Sequence, residues 1–239
     1  MIKYITSKTN NIVKYASSLK DSKKRRSERC FLIEGRKILD IALSINIVES
    51  IFTLKELPIR YDIPQYVVNE DIIKKISSLS SPEGIVAICH YPTHDINTNS
   101  NALYLDNIQD PGNLGTIIRN AVAFSYSPIY LSSDTVDPYN EKVISASKGA
   151  ILLTPVIYKK FNEINEYEKV IVSTLSDDSI SLNEYKDSFH HLLVLGNEAH
   201  GVRKDILDKA DIKLKIPMDN FESLNVGVAS GILMFALKR

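Results

Sequence analysis

The chain has 239 residues, of which 44% are hydrophobic and 24% charged, a composition typical of folded globular proteins and unlike that of disordered chains. No apolar run approaches the roughly 20 residues of a membrane span, and the first residues lack the continuous apolar stretch of a signal peptide. The two cysteines, Cys30 and Cys89, exclude a disulfide framework and a four-thiolate metal site. We therefore expect a protein of the reducing cytosol with no membrane partner.

The formal net charge of zero conceals an asymmetry along the chain. Residues 1–40 carry eleven lysines and arginines against four acids, so this segment is +7 and the remainder of the chain is −7. Lys and Arg displace condensed counterions from nucleic acid, which makes the segment a candidate RNA contact, although a run of charge is also typical of a solvated surface. The candidate RNA-binding residues are Lys23, Lys24, Arg25, Arg26, Arg29 and Arg36.

In chain order, the hydrophobic periodicity of residues 1–91 predicts a small α/β domain. The predicted helices span 10–19, 36–44 and 70–79, and the predicted strands span 30–35, 48–54, 65–69 and 84–90. Residues 92–101 are polar, rich in Asn and Thr and without a period, and this texture predicts a linker.

Residues 102–239 alternate short apolar strands with helices, which predicts an α/β fold with a mostly parallel sheet covered on both faces. The predicted strands are 102–106, 128–133, 152–158, 169–175, 191–196 and 212–217. The predicted helices are 113–125, 139–148, 161–167, 202–209 and 224–238, the last with Val228, Ile232, Phe235 and Ala236 on one face.

Three loops that follow predicted strands carry polar side chains, and ligands of parallel sheets bind beyond the carboxyl ends of the strands. The loops are "DPGNLGTIIRN" (110–120), "LGNEAHG" (195–201) and "IPMDNFESLNVGVA" (216–229). Singly, Asn113 and Ser223 suit helix N-caps, Asn225 a first helical turn, and Glu198 the positive N-terminus of a helix. Their accumulation with Arg119 at one sheet edge instead predicts a functional site.

Several common motifs are absent. The sequence has no GxGxxG, no GxxxxGK[ST] and no GxSxG, which argues against dinucleotide-binding, P-loop and α/β-hydrolase chemistry. The five histidines form no recognised zinc pattern. No metal site is therefore predicted.

Three segments resemble the three motifs of the SpoU-type (TrmH-like) RNA ribose methyltransferases of the SPOUT superfamily. They are "NLGTIIRNA" (113–121), "LVLGNEAHG" (193–201) and "IPM…SLNVGVASGIL" (216–233). The first half, through "TSKTNNIVKY" (6–15), the basic run and "FLIEGRKIL" (31–39), is similar to the small RNA-binding domain of ribosomal-protein type that precedes the catalytic domain in many members.

This resemblance implies a catalytic domain with a C-terminal trefoil knot, S-adenosylmethionine as methyl donor without a metal, and a homodimer formed through the knotted domain. The residues implied for the cofactor pocket are Leu175, Gly196, Ile216 and Leu224. The implied activity is 2′-O-methylation of a ribose in structured RNA, with 23S-type ribosomal RNA as the expected target. A transfer-RNA ribose methyltransferase and a non-catalytic RNA-binding protein of ribosome assembly stay open as alternatives.

The resemblance also implies roles for the polar residues. The family's proposal for the position of Arg119 is a general base, but an arginine with a pKa above about 12 stays charged, so a phosphate clamp beside the target ribose is the alternative. Asn113 would orient Arg119 or hold its loop, and Glu198 would pair with Arg119 or fix the loops. Ser223 and Asn225 would contact RNA or the first motif.

Overall fold

The structure is a computed structural model that describes residues 1–58, 62–186, 189–220 and 223–238. It divides the chain into two compact units, here called the first unit (Met1–Thr93 with Tyr139–Leu152) and the second unit (His94–Pro138 with Leu153–Arg239). The predicted boundary at 92–101 is close to the first crossing between the units. The prediction missed that the chain returns to the first unit at Tyr139, because that packing is a long-range contact.

The first unit is built on a mixed five-stranded sheet. Its strands are β1 (Ile2–Ile5), β2 (Cys30–Glu34), β3 (Val48–Thr53), β4 (Gln65–Val68) and β5 (Ile85–His90), in the order β1-β4-β3-β5-β2. β1, β4 and β3 run parallel, whereas β5 is antiparallel to both β3 and β2. The short β1 was not predicted, since only one of its four residues is buried.

Four helices accompany this sheet: α1 (Asn11–Ser18), α2 (Ser22–Glu28), α3 (Arg36–Ser44) and α4 (Glu70–Ile76). The apolar faces of α1 and α4 form one core cluster with Leu32, Phe52 and Ile88 of the sheet. The basic run forms α2, which was not predicted because it has no apolar period. The Asp21 carboxylate caps its N-terminus by accepting a hydrogen bond from Lys24 N at 3.0 Å.

The second unit contains a seven-stranded sheet in which every neighbouring pair is parallel. Its order is β10-β12-β9-β11-β6-β7-β8. This confirms the predicted α/β class with a mostly parallel sheet. The strands are β6 (Ala102–Leu105), β7 (Ile129–Leu131), β8 (Val156–Tyr158), β9 (Lys169–Ser173), β10 (Ile180–Ser181), β11 (His191–Leu195) and β12 (Ile212–Lys215).

The remaining helices are α5 (Pro111–Ala123), α6 (Glu141–Ser147), α7 (Lys204–Leu207) and α8 (Val226–Leu237). Of these, α6 belongs to the first unit, where it packs on β2. The helix predicted at 161–167 is wrong, because the structure has only a single 3-10 turn at Phe161–Glu163. No helix within the described ranges is both long and apolar enough to cross a bilayer.

The prediction of the inward face of α8 is also wrong. Val228, Ile232 and Phe235 are 53%, 39% and 71% exposed, while the opposite side of the helix is buried. The buried residues are Val226, Gly227, Ser230, Leu233, Met234 and Leu237. Because α8 is apolar on nearly its whole circumference, its sequence carries no period that distinguishes the two sides.

His191, at the start of β11, is 2% exposed and is held as a neutral imidazole. Its Nδ1 donates to Phe189 O at 2.7 Å, and its Nε2 accepts from the Tyr126 hydroxyl at 2.8 Å. Burial lowers the pKa of His191 below its usual value. The unfolded chain therefore binds a proton at this residue at a pH where the folded chain does not.

This difference predicts a loss of stability on acidification. The free energy of unfolding should fall as the pH drops below about 6.5, by at most about 1.4 kcal/mol per pH unit for one histidine. In His191→Gln, whose side chain does not titrate, the fall between pH 7.5 and 5.5 should be smaller, although burial also lowers the pKa of His94 and preserves part of it. Denaturant unfolding at the two pH values measures both slopes. Equal slopes in parent and variant would contradict this assignment.

Candidate active site

The carboxyl ends of β6, β9, β11 and β12 lie side by side in the second unit, because these strands are neighbours and parallel. The loops after β9, β11 and β12 enclose a cavity of about 430 Å³. All four residues predicted for a cofactor pocket line it, namely Leu175, Gly196, Ile216 and Leu224. Two residues predicted as catalytic, Glu198 and Ser223, line it as well.

Gly196 is required by a close backbone approach within this cavity. A Cβ atom at this position would lie 2.3 Å from the carbonyl carbon of Gly201 and 2.4 Å from the nitrogen of Val202. Backbone atoms cannot move aside as a flexible side chain can, so any larger residue must displace the loop. Glycine thus allows the strand end and the returning loop to touch.

The loop after β11 is closed by Asn197, whose role the sequence did not indicate. Its backbone N–H donates to Gly201 O at 3.1 Å, and the Gly201 N–H donates back at 2.8 Å. The Asn197 side chain accepts from Ala199 N at 2.9 Å and donates to Asn107 O at 2.9 Å. Asn197 therefore shapes its own turn and attaches it to the loop after β6.

The predicted capping residues differ from those observed. Asp110 is the N-cap of α5, and it accepts from Asn113 N at 2.8 Å. Asn225, rather than Ser223, is the N-cap of α8, and its Oδ1 accepts from Gly227 N at 2.9 Å. Asn113 therefore lies in the first turn of its helix, where its side chain is free to bond elsewhere.

Asn113 joins the three motif loops in one polar network. Its Nδ2 donates to the Glu198 carboxylate, and its Oδ1 accepts from Asn225 Nδ2 at 2.9 Å. Each of the three residues belongs to a different loop, and the sequence analysis predicted that they share one sheet edge. The network explains how loops 85 and 112 residues away from Asn113 are held against it.

Arg119 is exposed on α5 and makes no hydrogen bond or ion pair with any residue that the structure describes. The pairings predicted for Arg119 with Glu198 and Asn113 are therefore not observed, since both partners are engaged in the polar network. The neighbouring Asn120, which the sequence analysis did not single out, donates to Gly227 O at 2.9 Å and to Ser230 Oγ at 3.0 Å. It fixes α5 against α8.

A buried ion pair supports the same edge. Asp106, directly after β6, is 1% exposed; its Oδ2 accepts from Arg203 N at 2.9 Å, and its Oδ1 lies 3.0 Å from Arg203 Nε. Burial raises the pKa of Asp106, and the hydrogen bond and charge of Arg203 oppose that rise. The pair ties the loop after β6 to the start of α7, and the sequence gave no sign of it.

The candidate RNA-binding residues all lie in the first unit, and the structure contradicts one of them. Arg25 is 2% exposed, and its Nη1 donates to Leu19 O at 2.9 Å and Lys20 O at 2.8 Å. Its guanidinium therefore satisfies the end of α1 instead of facing a ligand. Lys23, Arg26, Arg29 and Arg36 are exposed, and Lys24 is partly exposed.

Some of these cations have acidic or aromatic neighbours. Lys24 pairs with Glu28 at 2.6 Å and Arg36 with Asp40 at 2.8 Å, and both pairs are exposed enough to be worth little in water. The Arg29 guanidinium lies 5.5 Å from the ring centre of Tyr91. A surface of this kind can exchange its weak ion pairs for phosphate contacts.

A parallel α/β sheet with a loop-lined cavity over adjacent carboxyl ends defines an enzyme of the α/β class. The profile of the SpoU rRNA Methylase family matches residues 100–235, and that of the MRM3-like substrate binding domain matches residues 10–87. The chain belongs to the SpoU rRNA methylase family. The resemblance inferred from the three motifs is thereby confirmed, and the protein is an RNA methyltransferase.

Similar proteins span nearly the whole chain. The "23S rRNA (guanosine(2553)-2′-O)-methyltransferase RlmP" of Bacillus subtilis is 32% identical over 99% of this chain and 100% of its own length. Human "rRNA methyltransferase 3, mitochondrial" is 26% identical over 90% of this chain and 69% of its own. The crystal structure of an AdoMet-bound rRNA methyltransferase from Sinorhizobium meliloti superposes with a TM-score of 0.87 at 27% identity, covering 99% and 97% of the two chains.

The polar network generates a test by charge exchange. Asn113→Asp places a carboxylate against Glu198, and we expect it to lower the free energy of unfolding by about 1 kcal/mol through like-charge repulsion and the lost hydrogen bond. Adding Glu198→Gln should restore most of that loss, because the Gln amide can donate to the new carboxylate. Glu198→Gln alone serves as the matched control and completes the double-mutant cycle. Additive effects in this cycle would show that Asn113 and Glu198 do not interact.

Proposed function

We propose that this protein transfers the methyl group of S-adenosylmethionine to a ribose 2′-hydroxyl of large-subunit ribosomal RNA. The observation that carries the proposal is the cavity of the second unit, because the loops of the second and third motifs line it and Asn113 of the first motif bonds to both. The Bacillus subtilis relative, which is named for 2′-O-methylation of 23S rRNA, supports the choice of target. Both cysteines are free thiols, which suits the reducing cytosol.

The cavity suits S-adenosylmethionine in size and chemistry. Its volume of about 430 Å³ falls within the range of small-molecule sites, roughly 300–1,000 Å³. Leu175, Leu195, Leu224 and Val226 offer apolar surface for an adenine ring, and the backbone around Gly196 offers polar groups next to it. When bound, S-adenosylmethionine supplies a methyl group made electrophilic by its positively charged sulfur. The knotted path of these loops stays a prediction from the family resemblance.

Arg119 acts on the RNA side of the reaction in this proposal. Negative charge develops on the ribose oxygen as the hydroxyl loses its proton, and a cation fixed beside it stabilises that charge. Arg119 is exposed and without a described partner, so its planar guanidinium is available to bind an RNA phosphate with two parallel hydrogen bonds. The exposed Ser223, on the cavity wall, is placed as an RNA contact.

The first unit acts as the RNA-binding domain. Its exposed cations, chiefly Lys23, Arg26, Arg29 and Arg36, provide affinity without sequence preference. Selection of the nucleotide depends on single-stranded or looped elements, whose bases can be reached. The match of residues 10–87 to a substrate-binding domain supports this role.

The apolar outer face of α8 forms the centre of a homodimer in this proposal. Val228, Ile232 and Phe235 are exposed together on one side of the helix, and the Phe235 ring contacts that of Phe124 at 5.9 Å between centres. An exposed apolar strip of this size is unfavourable in water and marks an interaction surface. A second copy of the chain, which presents the same strip, would cover it.

The activity is tested with isotope-labelled S-adenosylmethionine and undermodified ribosomal RNA. We expect label in large-subunit RNA, located at an alkali-resistant linkage, because a methylated 2′-oxygen cannot attack the adjacent phosphate. Label in transfer RNA alone would replace the proposed target. Absence of label from every RNA, with S-adenosylmethionine binding intact, would indicate an RNA-binding protein without catalysis.

Arg119→Lys tests the mechanism in the same assay. We expect turnover to fall about 10²–10³-fold, because lysine keeps the charge but loses the planar fork, while calorimetric binding of S-adenosylmethionine stays unchanged. Arg119→Ala should fall at least as far. Near-full turnover in Arg119→Lys would exclude both the phosphate clamp and the general-base role.

Phe235→Glu tests the dimer. A charge in the middle of the apolar strip should convert the dimer to monomer in sedimentation velocity, because burying an unpaired carboxylate is costly. Lys238→Glu, an exposed position at the end of the same helix, is the matched control and should stay dimeric. A monomeric parent protein would contradict the proposal outright.

A further inference from the structure

Cys30, Glu49 and His90 converge in the first unit, and none of them has a role in the function proposed above. Cys30 begins β2 and lies directly opposite His90 of β5 in the antiparallel register. Glu49 lies in β3, at the point where the register between β3 and β5 shifts between Val48 and Ser50. This irregularity is typical of a β-bulge, which re-aims a side chain.

The distances between the three side chains are short. Cys30 Sγ lies 3.2 Å from His90 Nδ1 and 3.7 Å from Glu49 Oε2, and Glu49 Oε2 lies 3.5 Å from His90 Nε2. One ligand atom from each residue falls within 4.8 Å of the other two, and the remainder of the described chain holds no second group of three such residues. Three strands therefore place sulfur, nitrogen and oxygen donors around one point.

These separations match those of a tetrahedral zinc ion. With Zn–S of about 2.3 Å and Zn–N or Zn–O of about 2.0–2.1 Å, two ligands of one ion lie roughly 3.3–3.6 Å apart. The three observed distances differ from these values by no more than about 0.4 Å. We propose that Cys30, Glu49 and His90 bind a divalent transition-metal ion of the zinc type, with water in the fourth position.

The charges of the three ligands fit this ion. A thiolate and a carboxylate carry two negative charges, which balance one Zn²⁺, and neutral imidazole adds none. On binding, the Cys30 thiol loses its proton to water and sulfur forms the metal bond. Only one imidazole nitrogen coordinates, and Nδ1 is the one placed for it because it faces Cys30 Sγ.

The burial of the cluster favours metal binding over a reactive thiol. Cys30 is 2% exposed, so a bulky substrate cannot reach its sulfur. The side chains of His90 and Glu49 are 58% and 33% exposed, which gives an ion a path from water. A bound ion would link β2, β3 and β5 and so stiffen the unit that carries the exposed basic residues.

The test uses the full chain after removal of metals with a chelator. Calorimetric titration with Zn²⁺ should show one site per chain, and Co²⁺ should produce a thiolate-to-cobalt charge-transfer band. His90→Asn and Glu49→Gln, which alter water-exposed side chains and should leave the fold intact, should each weaken Zn²⁺ binding roughly tenfold or more, since even outer partners of a metal site cost that much.

His190→Asn removes a histidine of the second unit and is the matched control, with affinity expected to equal that of the parent. Zn²⁺ should also raise the melting temperature of the parent but not that of His90→Asn. Absence of the cobalt band, or equal Zn²⁺ affinity in His90→Asn and the parent, would overturn the proposal. Because neither readout uses RNA or S-adenosylmethionine, the result is independent of the methyltransferase proposal.

Discussion

The backbone contact at Gly196 is the constraint on which the candidate site depends. The end of β11 and the returning strand of its loop touch here without any side chain between them, at a separation that a single methyl group would abolish. Because β11 lies between β9 and β6, the position of its loop decides how the loops on either side can approach. The cavity exists because this contact draws the loop inward while Asn197 attaches it to the loop after β6.

Polar groups then lock what the glycine permits. The Asn113 amide bonds Glu198 of one loop and Asn225 of another, and Asn225 simultaneously caps α8. An amide is suited to this position, since it donates and accepts at the same time. Arg119 is left outside the network. An arginine held by Glu198 would be neutralised, whereas a free one can meet an incoming anion.

The alternation of strands and helices was sufficient to predict the parallel sheet and the shared edge of Asn113, Glu198 and Asn225. What it could not supply were choices between equivalent residues. Asp110 and Asn113 are both good capping residues three positions apart, and only the path of the chain selects Asp110. Arg25 carries the same charge as its neighbours, and its burial depends on carbonyls at the end of α1. Cys30, Glu49 and His90 are too far apart in sequence to suggest a cluster before the strand register is known.

The final helix shows why local pattern and tertiary role can diverge. α8 buries Ser230, at 0% exposure, and exposes Phe235 at 71%, the reverse of ordinary amphipathicity. Its inner side is built for close approach: a Cβ at Gly231 would lie 3.1 Å from Asn120 Nδ2, and one at Gly227 3.0 Å from Thr116 Cγ2. Through Asn120 this small, polar seam holds α5, which bears Asn113 and Arg119. One short helix thus connects the apolar outer strip to the polar network, so any partner that covers the strip also fixes the helix from which the network and Arg119 project.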